Sequence, residues 1–203
     1  MPKPRKASSD VFLNIPYDRQ FERLFLAYVA GISAFGLTPR ATLEIRSSAG
    51  RLDKIVNLIQ ACDCSIHDLS RVQLDRHAPS TPRFNMPFEL GLTVALEKTS
   101  TSAHKWFVCE SVEHRLQKSL SDLNAIDPGI HGGNVRGVFA QLRNIFRRPD
   151  RQPSVQQMWR IYRDVRRNLP RILEEAGTNS LYSPSVFQDI CVAASASADR
   201  HVR

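Results

Sequence analysis

The chain has 203 residues, of which 42% are hydrophobic and 24% are charged. This composition is typical of a globular protein with one core and peripheral helices. The longest apolar runs are far shorter than the roughly 20 residues that a membrane-spanning helix needs, so we expect no membrane partner. The first ten residues are basic and polar and lack the apolar stretch of a secretory signal. We therefore expect a cytoplasmic protein.

Positive charge is concentrated in one part of the sequence. The segment from Arg136 to Arg171 contains ten arginines and two acidic residues, so it carries the whole formal net charge of +8. Localised positive charge attracts phosphate-bearing partners, and nucleic-acid binding is one interpretation of this segment. The other interpretation is a solvent-exposed helix face. It is favoured by an apolar stripe at helical spacing, formed by Val155, Met158, Tyr162, Val165, Leu169 and Ile172.

The sequence lacks the common signatures of metal and cofactor binding. Four cysteines occur, at Cys62, Cys64, Cys109 and Cys191. Their spacing does not match that of zinc knuckles, so we expect reduced, mostly buried thiols and no metal site. No GxGxxG follows the first predicted strand, and the sequence contains no Walker motif or GxSxG elbow. We therefore expect no cofactor.

Predicted strands and helices alternate along the first 110 residues. Short apolar runs predict strands at residues 10–15, 38–45, 62–69 and 106–109. Apolar residues three and four positions apart predict helices at 18–34, 51–61 and 87–98. A polar loop is expected at 70–83, and the later residues are predicted to be helical except for a loop at 127–134.

This alternation predicts an α/β fold, because helical crossovers of this length join parallel strands and cover both faces of the sheet. We expect an open, flavodoxin-like parallel sheet of four or five strands with a helical C-terminal extension. The predicted division is a disordered basic N-terminus at residues 1–9, an α/β domain at 10–125 and the extension, packed on that domain, at 126–203.

The fold class indicates where a site should lie. Ligands of open α/β sheets bind outside the carboxyl ends of the strands, near the point where the strand order reverses. The predicted strands end in polar residues that include Asn14, Tyr17, Glu44, His67, Asp68 and Glu110.

One further segment, Arg83 to Ala95 (RFNMPFELGLTVA), carries a candidate reactive carboxylate. Pro87 is suited to the first turn of a helix, which places Glu89 in or beside that turn. There the helix dipole favours the ionised form, and an ionised carboxylate can attack an electron-poor carbon or stabilise an oxocarbenium-like centre. Gly91 is expected to let the helix approach the sheet closely. The alternative is that Glu89 is an ordinary acidic residue near a helix start.

The order of these elements resembles the nucleoside deoxyribosyltransferase superfamily and the related TIR-like NAD-cleaving domains. The matching pieces are the opening VFLNIPYD, the run CSIHDLSR, the segment NMPFELGLTVAL and the strand WFVC. Together they cover roughly residues 10 to 110. The resemblance implies cleavage of an N-glycosidic bond in a nucleoside or nucleotide, with NAD as one substrate type, and self-association into homo-oligomers.

The resemblance also implies roles for individual residues. Glu89 would be the nucleophile or the charge that stabilises a ribosyl cation, Asp68 would bind the sugar or base, and Tyr17 would orient the Glu89 carboxylate. Other residues expected to contact the ligand are Asn14, Pro16, His67, Asn85 and Gly91.

Three functions therefore stay open from the sequence. The first is an N-glycosidase or transferase of the deoxyribosyltransferase-like type. The second is a non-catalytic TIR-like module that senses a nucleotide or self-assembles. The third is nucleic-acid binding through the segment from Arg136 to Arg171.

Overall fold

The structure, a computed structural model, describes residues 9–45, 48–72, 81–99, 104–123 and 125–202. Apart from Ser9, the N-terminal segment predicted to be disordered lies outside the described residues. The central part of the predicted loop at 70–83 also lies outside them.

Five parallel strands form one open sheet in the order β2-β1-β3-β4-β5. The strands are β1 (Asp10–Asn14), β2 (Thr38–Ala41), β3 (Cys64–Asp68), β4 (Lys105–Glu110) and β5 (Gly129–Ile130). Val11, Phe12, Leu13 and Asn14 of β1 are buried, as expected for a central strand covered on both faces. The predicted flavodoxin-like α/β fold is confirmed.

Helices cover both faces of this sheet. One face carries α1 (Glu22–Ala34), α5 (Val135–Ile145), α6 (Val155–Glu175) and α7 (Pro184–His201). The other carries α2 (Arg51–Ala61), α3 (Asn85–Thr99) and the short α4 (Arg115–Ser119). Because α1 follows β1 on one face and α3 follows β3 on the other, the loops after these adjacent strands diverge.

The main core surrounds α1. Every residue of this helix from Leu24 to Ala34 is buried, because α5, α6 and α7 pack around it. A Cβ atom at Gly31 would overlap Cδ1 of the buried Leu142, so alanine there would force the packing between α1 and α5 to shift. The C-terminal helices are thus part of the same core as the sheet.

Several elements differ from the sequence prediction. Strand β2 ends at Ala41, because the Glu44 carboxylate accepts the Ala41 N–H and the chain turns. Helix α1 begins at Glu22, because the Asp18 carboxylate accepts the N–H groups of Gln20 and Phe21 in a turn. Strand β5 lies where a loop was predicted. It consists of only two residues, which are too few to show the alternation of apolar and polar residues that predicts a strand. The sheet therefore continues past residue 125.

The arginine-rich segment forms α5, the following loop and α6. Met158, Tyr162, Val165 and Ile172 are buried, which confirms the predicted apolar stripe. Eight of the ten arginines are exposed and two, Arg148 and Arg151, are half-buried. Among the described residues, no helix has the length and apolar character needed to cross a membrane.

Candidate functional site

The candidate site lies at the carboxyl edge of the sheet, between the loops that follow β1 and β3. Side chains join these two loops. The Asp18 carboxylate accepts hydrogen bonds from Nε of Arg71 at 2.6 Å and from Nη1 of Arg83 at 2.7 Å. These guanidinium groups lower the pKa of Asp18 despite its partial burial. The ion pairs fix one loop against the other at the switch point of the sheet.

Asn14 and His67 meet at the ends of the two central strands. The Asn14 side-chain amide donates to Nδ1 of His67 at 3.0 Å and to the Met86 carbonyl at 2.8 Å. The first contact leaves the proton of neutral His67 on Nε2. Because His67 is fully buried, its pKa is lowered to about 3. The sequence prediction that His67 contacts the ligand is not supported by its position, since it is neutral and inaccessible.

Asp68 lies on the opposite face of the sheet from His67, as alternation along a strand requires. It is fully buried, and Tyr28 of α1 donates to its Oδ2 at 2.8 Å. The Ser70 N–H donates to Oδ1 at 2.9 Å, and Nε2 of His131 lies 3.0 Å from Oδ2. A carboxylate without accessible surface cannot contact a sugar in this arrangement. Asp68 instead holds the loops after β3 and β5 onto α1.

The other carboxylates at strand ends are also paired. Glu44 accepts hydrogen bonds from Nε and Nη2 of Arg40, the shortest of them at 2.8 Å. Glu110 is buried and accepts a hydrogen bond from Nε of Arg115 at 2.8 Å. These groups have local structural partners, so they are not free to act on a ligand.

Glu89 differs from all of these carboxylates. It lies in the second turn of α3 and is only 6% exposed. Among the described residues, none donates a hydrogen bond to its carboxyl group or lies within ion-pair distance of it. Burial raises its pKa to about 7, although the positive charge of Arg51 opposes the rise. We expected the helix dipole to favour ionised Glu89, but the residue lies beyond the first turn of α3, where the dipole acts, and its burial raises the pKa.

Two side chains share the electrostatic environment of Glu89. The pKa of the Tyr17 hydroxyl is raised, chiefly by burial and also by the charge of Glu89. Arg51, the first residue of α2, acts on both groups through its positive charge. The Tyr17 hydroxyl also lies 3.3 Å from Oγ1 of Thr42. Tyr17 is thus electrostatically coupled to Glu89, but its own hydrogen bond is to Thr42.

The remaining predicted ligand residues are not gathered into one cluster. Pro16 is a buried residue of the loop after β1, and Asn85 is exposed at the first position of α3. Gly91 is exposed, and a Cβ atom there would meet no atom within 4 Å. The prediction that Gly91 lets the helix approach the sheet is therefore wrong. Phe84 and Phe88, close to Glu89 in the chain, are 69% and 54% exposed.

Several residues of the site have no signal in the sequence. Tyr28 is one of many apolar-spaced positions in α1, and only the fold shows that its hydroxyl reaches Asp68. His131 follows the two-residue strand β5 and is far from Asp68 in the chain. Arg51 was recognisable as a helix start, but its effect on Glu89 depends on how α2 and α3 pack.

Other features of the structure lie away from Glu89. A cleft of about 500 Å³ opens at the amino edge of the sheet and is lined in part by Asp10, Lys105 and Arg148. Cys62 and Cys109 are buried free thiols, and burial raises both of their pKa values to about 12. Within the described ranges, no group of three or more histidine, cysteine or acidic side chains is placed to hold a metal ion.

The fold and the site together define an open, doubly wound α/β protein with a buried carboxyl group near its switch point, for which the described residues supply no partner. Comparison with known proteins adds no family. No protein-family model matches the chain, and no curated protein or solved structure matches it significantly.

Proposed function

We propose that the carboxyl edge of the sheet binds a nucleoside or nucleotide, NAD among them, and that Glu89 acts in cleavage of its N-glycosidic bond. The observation that carries the proposal is Glu89, a residue that is only 6% exposed and whose carboxyl group is unpaired among the described residues. A bound ligand that presents hydroxyl donors or a developing positive charge would supply the partner that this carboxyl group lacks among the described residues.

The proposed chemistry depends on the interaction between the Glu89 carboxylate and the positive charge that develops on the sugar during bond cleavage. As the bond between C1′ and the base nitrogen breaks, its electron pair leaves with the base and C1′ becomes positively charged. A carboxylate close to C1′ stabilises that charge or forms an ester with C1′, which water or another acceptor then cleaves. The burial that raises the Glu89 pKa to about 7 also makes its negative charge interact more strongly with the cation.

Two exposed aromatic rings favour a ligand with a planar base. Phe84 and Phe88 are 69% and 54% exposed and precede Glu89 by five residues and one residue. Large exposed aromatic side chains offer flat faces on which nucleobases stack. We expect the double variant Phe84→Ala/Phe88→Ala to raise KM more than it lowers kcat, because stacking positions the base without taking part in the bond cleavage.

The pH dependence distinguishes the two types of leaving group. A nicotinamide base is already cationic in the substrate and departs without a proton, so its release requires ionised Glu89 and increases as pH rises through about 7. A neutral purine or pyrimidine must gain a proton as it departs. Protonated Glu89 can supply that proton, so this release decreases above about pH 7.

The experiment is incubation of the purified protein with NAD and a panel of nucleosides, with release of free base followed by chromatography. Glu89→Gln is expected to lower release by about 10²–10⁴-fold, the usual contribution of a positioned acid or base. Glu97→Gln is the matched control, since Glu97 is an exposed carboxylate on the same helix. Release that is the same in the Glu89→Gln and wild-type proteins refutes the role of Glu89.

Binding without turnover would support the second function considered, a non-catalytic nucleotide-sensing module. Isothermal titration calorimetry with NAD and nucleotides measures the binding directly. If the wild-type protein binds but releases no base, Glu89 is a recognition group, and Glu89→Gln should weaken binding. The absence of both binding and release removes the small-molecule site altogether.

A further inference from the structure

A line of arginines runs along the outermost face of α6. Arg160, Arg163, Arg167 and Arg171 are spaced three, four and four residues apart, so they lie on one side of the helix. This side is opposite the buried stripe that contains Met158 and Val165. We call these four arginines the arginine ridge. It spans about 16 Å along the helix, at 1.5 Å per residue.

The charges of the ridge are poorly compensated within the protein. No carboxylate among the described residues lies within ion-pair distance of Arg160 or Arg163. Arg167 lies 3.6 Å from Asp164 and Arg171 lies 3.7 Å from Glu175, and these two arginine side chains are still 78% and 70% exposed. Exposed ion pairs of this length contribute little, so the ridge presents four positive groups to solvent.

The arrangement is unfavourable for the isolated helix. Arg163 and Arg167, and likewise Arg167 and Arg171, are like charges four residues apart, and such pairs destabilise a helix. Solubility alone does not require this pattern, because a surface that carries both positive and negative charges keeps a protein equally soluble. A partner with closely spaced negative charges would turn the repulsion into a favourable interaction.

We propose that the arginine ridge binds the phosphate backbone of double-stranded nucleic acid without reading its sequence. The segment from Arg136 to Arg171 contains ten arginines and no lysine, and the guanidinium group pairs with phosphate through two parallel hydrogen bonds. The ridge is as long as about five base pairs of duplex, along which each strand places one phosphate about every 3.4 Å of the helix axis.

The composition of this surface disfavours other partners. Protein interfaces depend on apolar and aromatic anchors at their centre. The exposed large hydrophobic residues of the described structure are Leu52, Phe84, Phe88, Val112 and Val192, and none of them lies on α5 or α6. Single-stranded nucleic acid is held largely by stacking on aromatic rings. Trp159 and Tyr162 pack instead against each other and Phe139.

The test is fluorescence anisotropy with a labelled 20-base-pair DNA duplex over a range of salt concentrations. If each ridge arginine neutralises one phosphate, the plot of log K against log salt has a slope of about −3.6, and binding weakens about 150-fold between 50 and 200 mM salt. Arg163→Gln/Arg167→Gln is expected to reduce the slope to about −1.8. Lys98→Gln/Lys118→Gln, which removes two exposed charges from the other face of the sheet, should leave the slope unchanged.

Folding and the alternative partners are checked in the same series. Because Arg163→Gln/Arg167→Gln removes like-charge repulsion, its thermal unfolding midpoint should equal or exceed that of the wild type. Two results overturn the proposal. One is the absence of duplex binding at 50 mM salt, whether or not the protein binds phosphatidylserine vesicles or polyglutamate. The other is an equal loss of slope in the ridge and control variants. The inference is independent of the proposed glycosidase activity, since Glu89→Gln should not change duplex binding.

Discussion

The burial of an unpaired carboxyl group at Glu89 should make the stability of the protein depend on pH in a specific way. Burial raises the pKa of Glu89 from an ordinary value of 4.5 to about 7 in the folded state. Each pKa unit corresponds to about 1.4 kcal/mol, so ionised Glu89 costs the fold about 3 kcal/mol. This is a substantial part of the roughly 5–15 kcal/mol by which small proteins are stable.

The sign follows from the direction of the change. The folded-state pKa is higher than the unfolded-state value, so the folded protein holds the proton more tightly. The associated stability is fully present below about pH 4.5 and is lost as the pH rises through about 7. Glu89→Gln removes the charge while keeping the shape of the side chain. The variant should therefore gain about 3 kcal/mol relative to the wild type between pH 4.5 and pH 8.

The measurement is urea unfolding followed by circular dichroism at pH 4.5, 6 and 8. Comparing wild-type and Glu89→Gln proteins at each pH cancels the contributions of the other titrating groups. The same series with Glu97→Gln, which replaces an exposed carboxylate on the same helix, is the matched control for the substitution itself. If the stability difference between Glu89→Gln and the wild type stays constant from pH 4.5 to pH 8, the carboxyl is neither desolvated nor unpaired, and the basis of the proposed function is lost.

Three further substitutions test the packing that positions the site, each by its thermal or urea unfolding midpoint. Gly137→Ala should destabilise the protein by at least about 1–3 kcal/mol, since the new Cβ would lie 2.0 Å from the His131 carbonyl oxygen; an unchanged midpoint would show that the loop after β5 can move away. Gly91→Ala should stabilise α3 by about 0.5–1 kcal/mol, because the site is open and alanine favours a helix; a loss of stability would contradict the exposed position. Tyr28→Phe should cost about 1–3 kcal/mol, because the buried Asp68 carboxylate loses a donor, and a neutral effect would mean that this hydrogen bond is not formed.

Part of the candidate site could be predicted from local pattern. Strand ends are recognisable in the sequence, and in a parallel sheet they meet at one edge, so Asn14, His67 and Asp68 were placed at the correct edge. Their roles could not be predicted in the same way. Adjacent residues of a strand face opposite sides of the sheet, so His67 is bonded by Asn14 of strand β1, whereas Asp68 is bonded by Tyr28 of helix α1.

Glu89 illustrates the same limit for electrostatics. The sequence placed it near a helix start, where a dipole favours the negative form. In the folded protein it lies one turn further along, and the surrounding elements remove water from its carboxyl. A pKa depends on everything packed around the group, so its direction could not be obtained from neighbours in the chain.

The alternation of strands and helices, the parallel sheet and the buried face of α6 were determined by the sequence alone, because the hydrophobic periodicity that defines them is local. The tertiary structure decided which carboxyl group is left without a partner. Asp68, Glu44 and Glu110 are all paired, whereas Glu89 is buried and unpaired among the described residues. Pairing depends on contacts between segments far apart in the chain, and these distances are set only when the helices pack on the sheet.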